Sequence, residues 1–321
     1  MTGTSTLSVS LPKSWANRYS VKKGAELLVS EAEDGSLVVK LEGGEVQKET
    51  AEINCQEYDS AEKLRRRFLS LYLAGYSSIR IFSKQRLSLE CRKTVVDEAR
   101  RLIGVEATEE TPNSITVQDF FSHEGLSVES TLKRTHLLTS SLFEDLLNAL
   151  AKNDRLLARN LAGRDDDIDR LRFLLLRQLG LALRDAALLH DLKLDASDCV
   201  SYAVVARDVE QIADRLSRIA KYFSDTPGSK NALKTQKRIG ELSREAFELY
   251  KTAMESFLKK DTGKANEALD SKQSLYLHRE EFEREMAKAG SVPFEYGGIL
   301  DSIMGIAELS GEIAEVAIDQ E

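Results

Sequence analysis

Val205-Ala206-Arg207-Asp208-Val209-Glu210-Gln211-Ile212-Ala213-Asp214-Arg215-Leu216-Ser217-Arg218-Ile219-Ala220 combines a regular apolar period with a pair of acids. At about 100° per residue, Val205, Val209, Ile212, Leu216, Ile219 and Phe223 share one face, which predicts an amphipathic helix. Glu210 and Asp214 fall near the opposite side and are expected to face water. Side chains four apart on a helix are neighbours, so these two acids repel unless a cation lies between them. Arg207 and Arg218 sit three and four residues away and offer ordinary ion pairs as the alternative.

The pattern Ile-Ala-Asp…Ile-Ala at 212–220 recurs 94 residues on as Ile306-Ala307-Glu308 and Ile313-Ala314. A period of that length is one three-helix unit, so the C-terminal part is expected to hold two units in tandem. Six helices are predicted, over 129–152, 154–191, 195–224, 229–261, 263–289 and 294–319. Turn signals such as Asn153-Asp154 and Pro227-Gly228 separate them, with Asp195 and Ser229 as N-caps. Short connections between long helices make antiparallel neighbours. Leu171, Leu175, Leu179 and Ala182 form a core stripe, which Leu174 and Leu181 widen, so that helix is expected to pack on two sides. A second acid pair, Asp165 and Asp169, belongs to the first unit.

The 321 residues, with a net charge of −8 and only 4 Pro, describe a helix-rich globular chain of two or three domains. No apolar run is long enough to span a membrane, and the N-terminus lacks a secretory pattern; a cytoplasmic protein is expected. Cys55, Cys91 and Cys199 show no metal-ligand spacing and are expected to be unpaired packing residues. His123, His136, His190 and His278 have no second His or Cys at helical spacing, which argues against a histidine metal site. No nucleophile–base grouping or phosphate-binding glycine loop is visible, so no enzyme is predicted.

Residues 1–45 read as short strands: Leu7–Leu11, Glu26–Ser30 after the turn at Lys23-Gly24, and Ser36–Lys40 after Asp34-Gly35, with a helical turn started by Pro12. So small a sheet is expected to dimerise. Its first 25 residues hold Lys13, Arg18, Lys22 and Lys23 and no acid. Past the polar linker at 42–45, residues 46–122 predict a small α/β domain with helices at 61–73 and 87–103 and strands at 78–82, 104–108 and 114–117. The run Lys63, Arg65, Arg66, Arg67 lies among acids and reads as a solvated face.

Two resemblances follow from these residues. Ser8-Val9-Ser10-Leu11-Pro12-Lys13-Ser14-Trp15, with Val21-Lys22-Lys23-Gly24-Ala25-Glu26-Leu27-Leu28-Val29 and Asp34-Gly35-Ser36-Leu37, resembles the AbrB/SpoVT swapped-hairpin domain, although Ala25 stands where that family has a turn acid. That resemblance implies an intertwined dimer that often binds DNA, with Lys13, Arg18, Lys22 and Lys23 neutralising phosphates. The tandem three-helix units with their acid pairs, and Ala206-Arg207-Asp208-Val209-Glu210-Gln211-Ile212-Ala213-Asp214 followed by Arg218-Ile219-Ala220, resemble the PhoU phosphate-uptake regulators, in an archaeal-type architecture. This implies a metal ion, iron or zinc, on Asp165, Asp169, Glu210 and Asp214. A weaker second site would lie at Asp270 and Glu308, where Met304 replaces the acid matching Glu210; a thioether is a poor ligand for hard cations.

The expected architecture is therefore mixed: a β-rich swapped-hairpin head (1–45), a small α/β domain (46–122), and a helical region (129–321) of two three-helix bundles, 129–224 and 229–321. The function it implies is phosphate-responsive regulation through a phosphate transporter or sensor kinase and through DNA, in a homodimer or higher even oligomer. The alternative is an adaptor whose head only dimerises.

Overall fold

The computed structural model describes residues 8–31, 35–41, 50–120, 127–226, 232–289 and 294–320. The 42–45 linker, His123, the turn at 227–228 with Ser229, and the break at 290–293 lie outside them. In the head, α1 (Lys13–Arg18) starts after Pro12, and β1 (Leu27–Glu31) pairs antiparallel with β2 (Leu37–Leu41), Val29 opposite Val39. Residues 8–11 do not form the expected strand within one chain. Val9, Leu28, Val29 and Leu37 are exposed, so the hairpin does not cover its own apolar side chains.

The α/β domain is a four-stranded sheet in the order β3-β4-β6-β5. It comprises β3 (Thr50–Asn54), α2 (Ala61–Leu73), β4 (Ser78–Phe82), α3 (Leu89–Arg101), β5 (Val105–Glu110) and β6 (Ser114–Asp119). β3, which short-range patterning missed, runs parallel to β4, while β4/β6 and β6/β5 are antiparallel. Ala51, Ile53, Ile79, Ile81, Ile115 and Val117 turn to one buried face, the period-2 consequence of the pleat. Leu64, Phe68, Leu71, Cys91 and Val95 from the two helices close that core. Ser60 and Ser88 cap the helices by accepting from the amides of Lys63 and Cys91.

Cys55 and Cys91 corrects the expectation of unpaired cysteines: their sulfurs are joined, 36 residues apart in sequence, and only Cys199 is free. Short-range spacing could not show this, because α2 and β4 fold between the two.

The helical region begins with α4 (Val128–Lys152). The single helix expected over 154–191 is three: α5 (Arg155–Leu161), α6 (Asp166–Ala182) and α7 (Ala186–Asp191). The first break falls at Gly163, whose φ of 93° is left-handed and ends the helical run. Then come α8 (Ala196–Asp225), α9 (Ala232–Lys259), α10 (Thr262–Ala289) and α11 (Phe294–Ile318). Asp195 caps α8 in a reciprocal box with Asp198. The helices α4, α6 and α8 pack as one bundle and α9, α10 and α11 as the second, sharing one core in which α8 lies along α11. Among the described residues no helix is long and apolar enough to cross a membrane.

The α8/α11 seam keeps one antiparallel register: the Tyr222 ring lies against Gly298, Arg215 against Gly305, and Arg207 reaches Glu312 at 3.5 Å. That register sets Ala213 opposite Ala307, its counterpart in the repeat, and both are fully buried. The internal duplication is thus folded about an approximate two-fold axis between two alanines.

Candidate acidic site on the first helical bundle

Asp165 is the N-cap residue of α6 and its carbonyl accepts from Ile168 and Asp169, which sets both Asp165 and Asp169 at the first turn. α8 passes antiparallel to α6, and this brings the acids of the two helices face to face. Asp165 shares a hydrogen bond with Asp214, and Asp169 one with Glu210. Two carboxyl groups can share such a bond only if one of them is protonated. Ser217 donates to Asp165 Oδ1 at 3.1 Å, and Arg172, one turn along α6, stands 3.3 Å from Glu210. Thus the four acids lie as two pairs across α6 and α8.

Their exposure differs from expectation. The Glu210 side chain is only 15 % exposed because α6 covers it, whereas Asp214 stays exposed. Burial lifts the Glu210 carboxyl to about 7; Arg172 pulls it down and the neighbouring Asp214 and Asp169 push it up. Burial, then Asp165, raises Asp214 to about 6. Burial also raises Asp169, and Arg172 opposes the shift. Arg101, from the end of α3, lies 3.6 Å from Asp166 and draws the α/β domain into the rim of this site.

An all-carboxylate set suits a hard cation in type, and Asp169 Oδ1 is buried without a hydrogen-bond partner. Its arrangement is closed: among the described residues no group of three or more His, Cys, Asp or Glu is placed to hold a metal. A cation would have to part the hydrogen-bonded carboxyl pairs. The second-unit candidates are not joined at all. Asp270 is exposed on α10, and Glu308 accepts from the Tyr276 hydroxyl. Met304 is buried.

Sequence reasoning missed four polar groups. Asp208 is fully buried against Arg207, which holds Oδ1 at 2.9 Å, and burial lifts its carboxyl to about 6. Ser217 and Arg172 complete the acidic site, and the spacing of Arg172 three residues after Asp169 was the available signal. The fourth is Arg177, 2 % exposed, which leaves the bundle and enters the α/β domain. It donates to the carbonyls of Tyr72, Gly75 at 3.3 Å and Tyr76 at 2.9 Å, and pairs with Asp119 at 2.5 Å. The freed carbonyls at the C-terminal end of α2 are thereby satisfied from another domain.

The histidines have structural partners or none near the site. His136 is half-buried beside the Tyr250 hydroxyl at 3.0 Å, His278 meets Glu245 at 2.7 Å, and His190 is exposed at the end of α7. In the head, Lys13, Lys22 and Lys23 are exposed and Arg18 closes α1.

Fold and site together define a class: a double three-helix bundle with an acid-lined face between the second and third helices of its first unit, carrying two smaller domains ahead of it. Residues 132–223 match the PhoU domain family model, and residues 1–46 match the model of the antidote-toxin recognition MazE domain of bacterial antitoxins. The chain therefore carries a PhoU domain behind a MazE/AbrB-like domain. The crystal structure of PhoU from Pseudomonas aeruginosa is similar, with a TM-score of 0.50 at 20% identity, over 60% of this chain and 93% of that one. At that identity the likeness establishes the fold alone. No curated protein matched the chain.

Proposed function

We propose that this protein regulates phosphate uptake and phosphate-responsive signalling, with the helical half as the sensing and docking body and the head as a dimerising, DNA-contacting module. The observation that carries the reading is the convergence of Asp165, Asp169, Glu210 and Asp214 within the stretch that matches the PhoU domain. The orphaned oxygen of Asp169 and the crowding of the four carboxyls support a cation there, iron or zinc, for which Arg172 is the internal substitute. Elemental analysis of the purified chain beside Glu210→Ala/Asp214→Ala tests this. Metal near one equivalent, lost in the variant, is expected; equal, near-zero metal in both would retire it.

For the head, the support is a cluster of basic residues without acids in the first 25 positions, beside exposed apolar side chains that a second copy would cover. Binding of the full chain to duplex DNA is expected to weaken steeply with salt and to fall at least tenfold in Lys13→Glu/Lys22→Glu/Lys23→Glu, because each lysine releases a counterion. If the wild type and this variant bind DNA equally, or neither binds, the head only dimerises and the protein acts as an adaptor of a transporter or sensor kinase.

A further inference from the structure

We propose that Cys55 and Cys91 are a thiol–disulfide switch that reacts with small disulfides and fastens the edge strand β3 to helix α3. Cys55 opens the turn Cys55–Glu57 directly after β3, and it is half-buried, more exposed than Cys91. Cys91 is 5 % exposed in the first turn of α3, where Ser88 Oγ accepts its backbone N–H at 3.0 Å. The positive end of α3 favours negative charge on that sulfur. The two sulfurs meet between the end of β3 and the first turn of α3, and both side chains pack on the domain's core.

The chemistry is balanced exchange. The Cys55 thiolate attacks one sulfur of a small disulfide such as oxidised glutathione, forming a mixed disulfide and expelling one glutathione thiolate. The Cys91 thiolate then attacks the Cys55 sulfur, closing the protein bond and expelling the second glutathione thiolate. The two protons lost by the cysteines end on the two glutathione thiols, and the cysteine pair is oxidised by two electrons while glutathione is reduced by two. Exposure makes Cys55 the entry point, and burial makes Cys91 the resolving group. Cys199 takes no part: it is 1 % exposed in the bundle, and burial pushes its thiol up, with Asp198 and Asp195 adding to the shift.

The position of the bond gives it an effect. In the described residues β3 is paired only with β4, and it is the first strand after the connection from the head. A short edge strand held by one neighbour opens easily. Closing the bond ties its C-terminal end to α3, so that a pull from the head is borne by the whole domain.

The test equilibrates the full chain with reduced and oxidised glutathione at several ratios, quenches in acid, then denatures and alkylates for mass spectrometry. The expected result is three alkylated cysteines at reducing ratios, and one, Cys199, at oxidising ratios, with a Cys55–Cys91 peptide. Amide exchange at Thr50–Asn54 is expected to slow about tenfold or more in the oxidised form, and Cys91→Ser is expected to stop at a Cys55–glutathione adduct with exchange as in the reduced chain. Three free thiols at every ratio, a stable glutathione adduct in the wild type, or unchanged exchange on oxidation would each overturn the proposal.

Discussion

Glu210 is held in a setting that favours its protonated form, and this has a definite sign in stability. Its folded carboxyl titrates at about 7, above the roughly 4.3 of an unfolded glutamate. The folded chain therefore binds more protons across that window, and stability is lost as pH rises from about 4 to 7. Asp214 adds to the same trend. Glu210→Gln is expected to raise stability by roughly 1–3 kcal/mol at pH 8 and by little at pH 4.5; urea unfolding of both proteins at the two pH values checks it. A variant less stable than wild type at pH 8 would mean that the Arg172 pair outweighs burial. Arg177 makes the opposite case, since its charge is buried and well supplied with acceptors. Arg177→Met removes the ion pair to Asp119 and the donor to the α2 carbonyls and is expected to cost about 3 kcal/mol, read from chemical denaturation. None of this could be read from the spacing around residue 177, because the acceptors lie 58 to 105 residues earlier in the chain.

Among elements, α11 shows how small residues set a helix pair. Gly298 and Gly305 stand one heptad apart and admit Tyr222 and Arg215 of α8 into positions a Cβ would occupy. Gly298→Ala meets a rigid ring and is expected to destabilise by about 1–3 kcal/mol. Gly305→Ala meets the end of a flexible arginine that can swing away, so a smaller loss is expected. Thermal unfolding of the two variants should rank them in that order. The six long helical patterns, the cap at Asp195 and the strands at 78–82 and 114–117 were legible because each is a local period with punctuation. The breaks within 154–191 were not, since Gly163 sits inside an apolar pattern that continues on both sides. β3 was missed because one short alternation, Thr50 to Asn54, takes its meaning from β4, 28 residues on.

For the whole molecule, the duplication was legible from one repeated tripeptide pattern, whereas the pairing of Asp165 with Asp214 and of Asp169 with Glu210 came from the antiparallel run of α6 and α8. The axis between Ala213 and Ala307 needed the packed structure. The two halves have diverged in their chemistry. The first unit sets carboxyls of α6 against carboxyls of α8, while the second sets the Tyr276 hydroxyl of α10 on Glu308 of α11. A cation added to the protein is therefore expected to protect α6 and α8 from amide exchange and to leave α10 and α11 unchanged. Equal protection of both units would show that the second face also binds.

α6 serves two masters: Leu175 and Leu179 belong to the bundle core, while Phe173 and Arg177 are seated in the α/β domain. A fragment trimmed to begin at Ser127 would keep Arg177 and lose Tyr72, Gly75, Tyr76 and Asp119 together. It would carry a bared ring and an unmatched cation along one helix, the makings of a poorly soluble preparation, so the boundary for any recombinant truncation belongs ahead of Thr50.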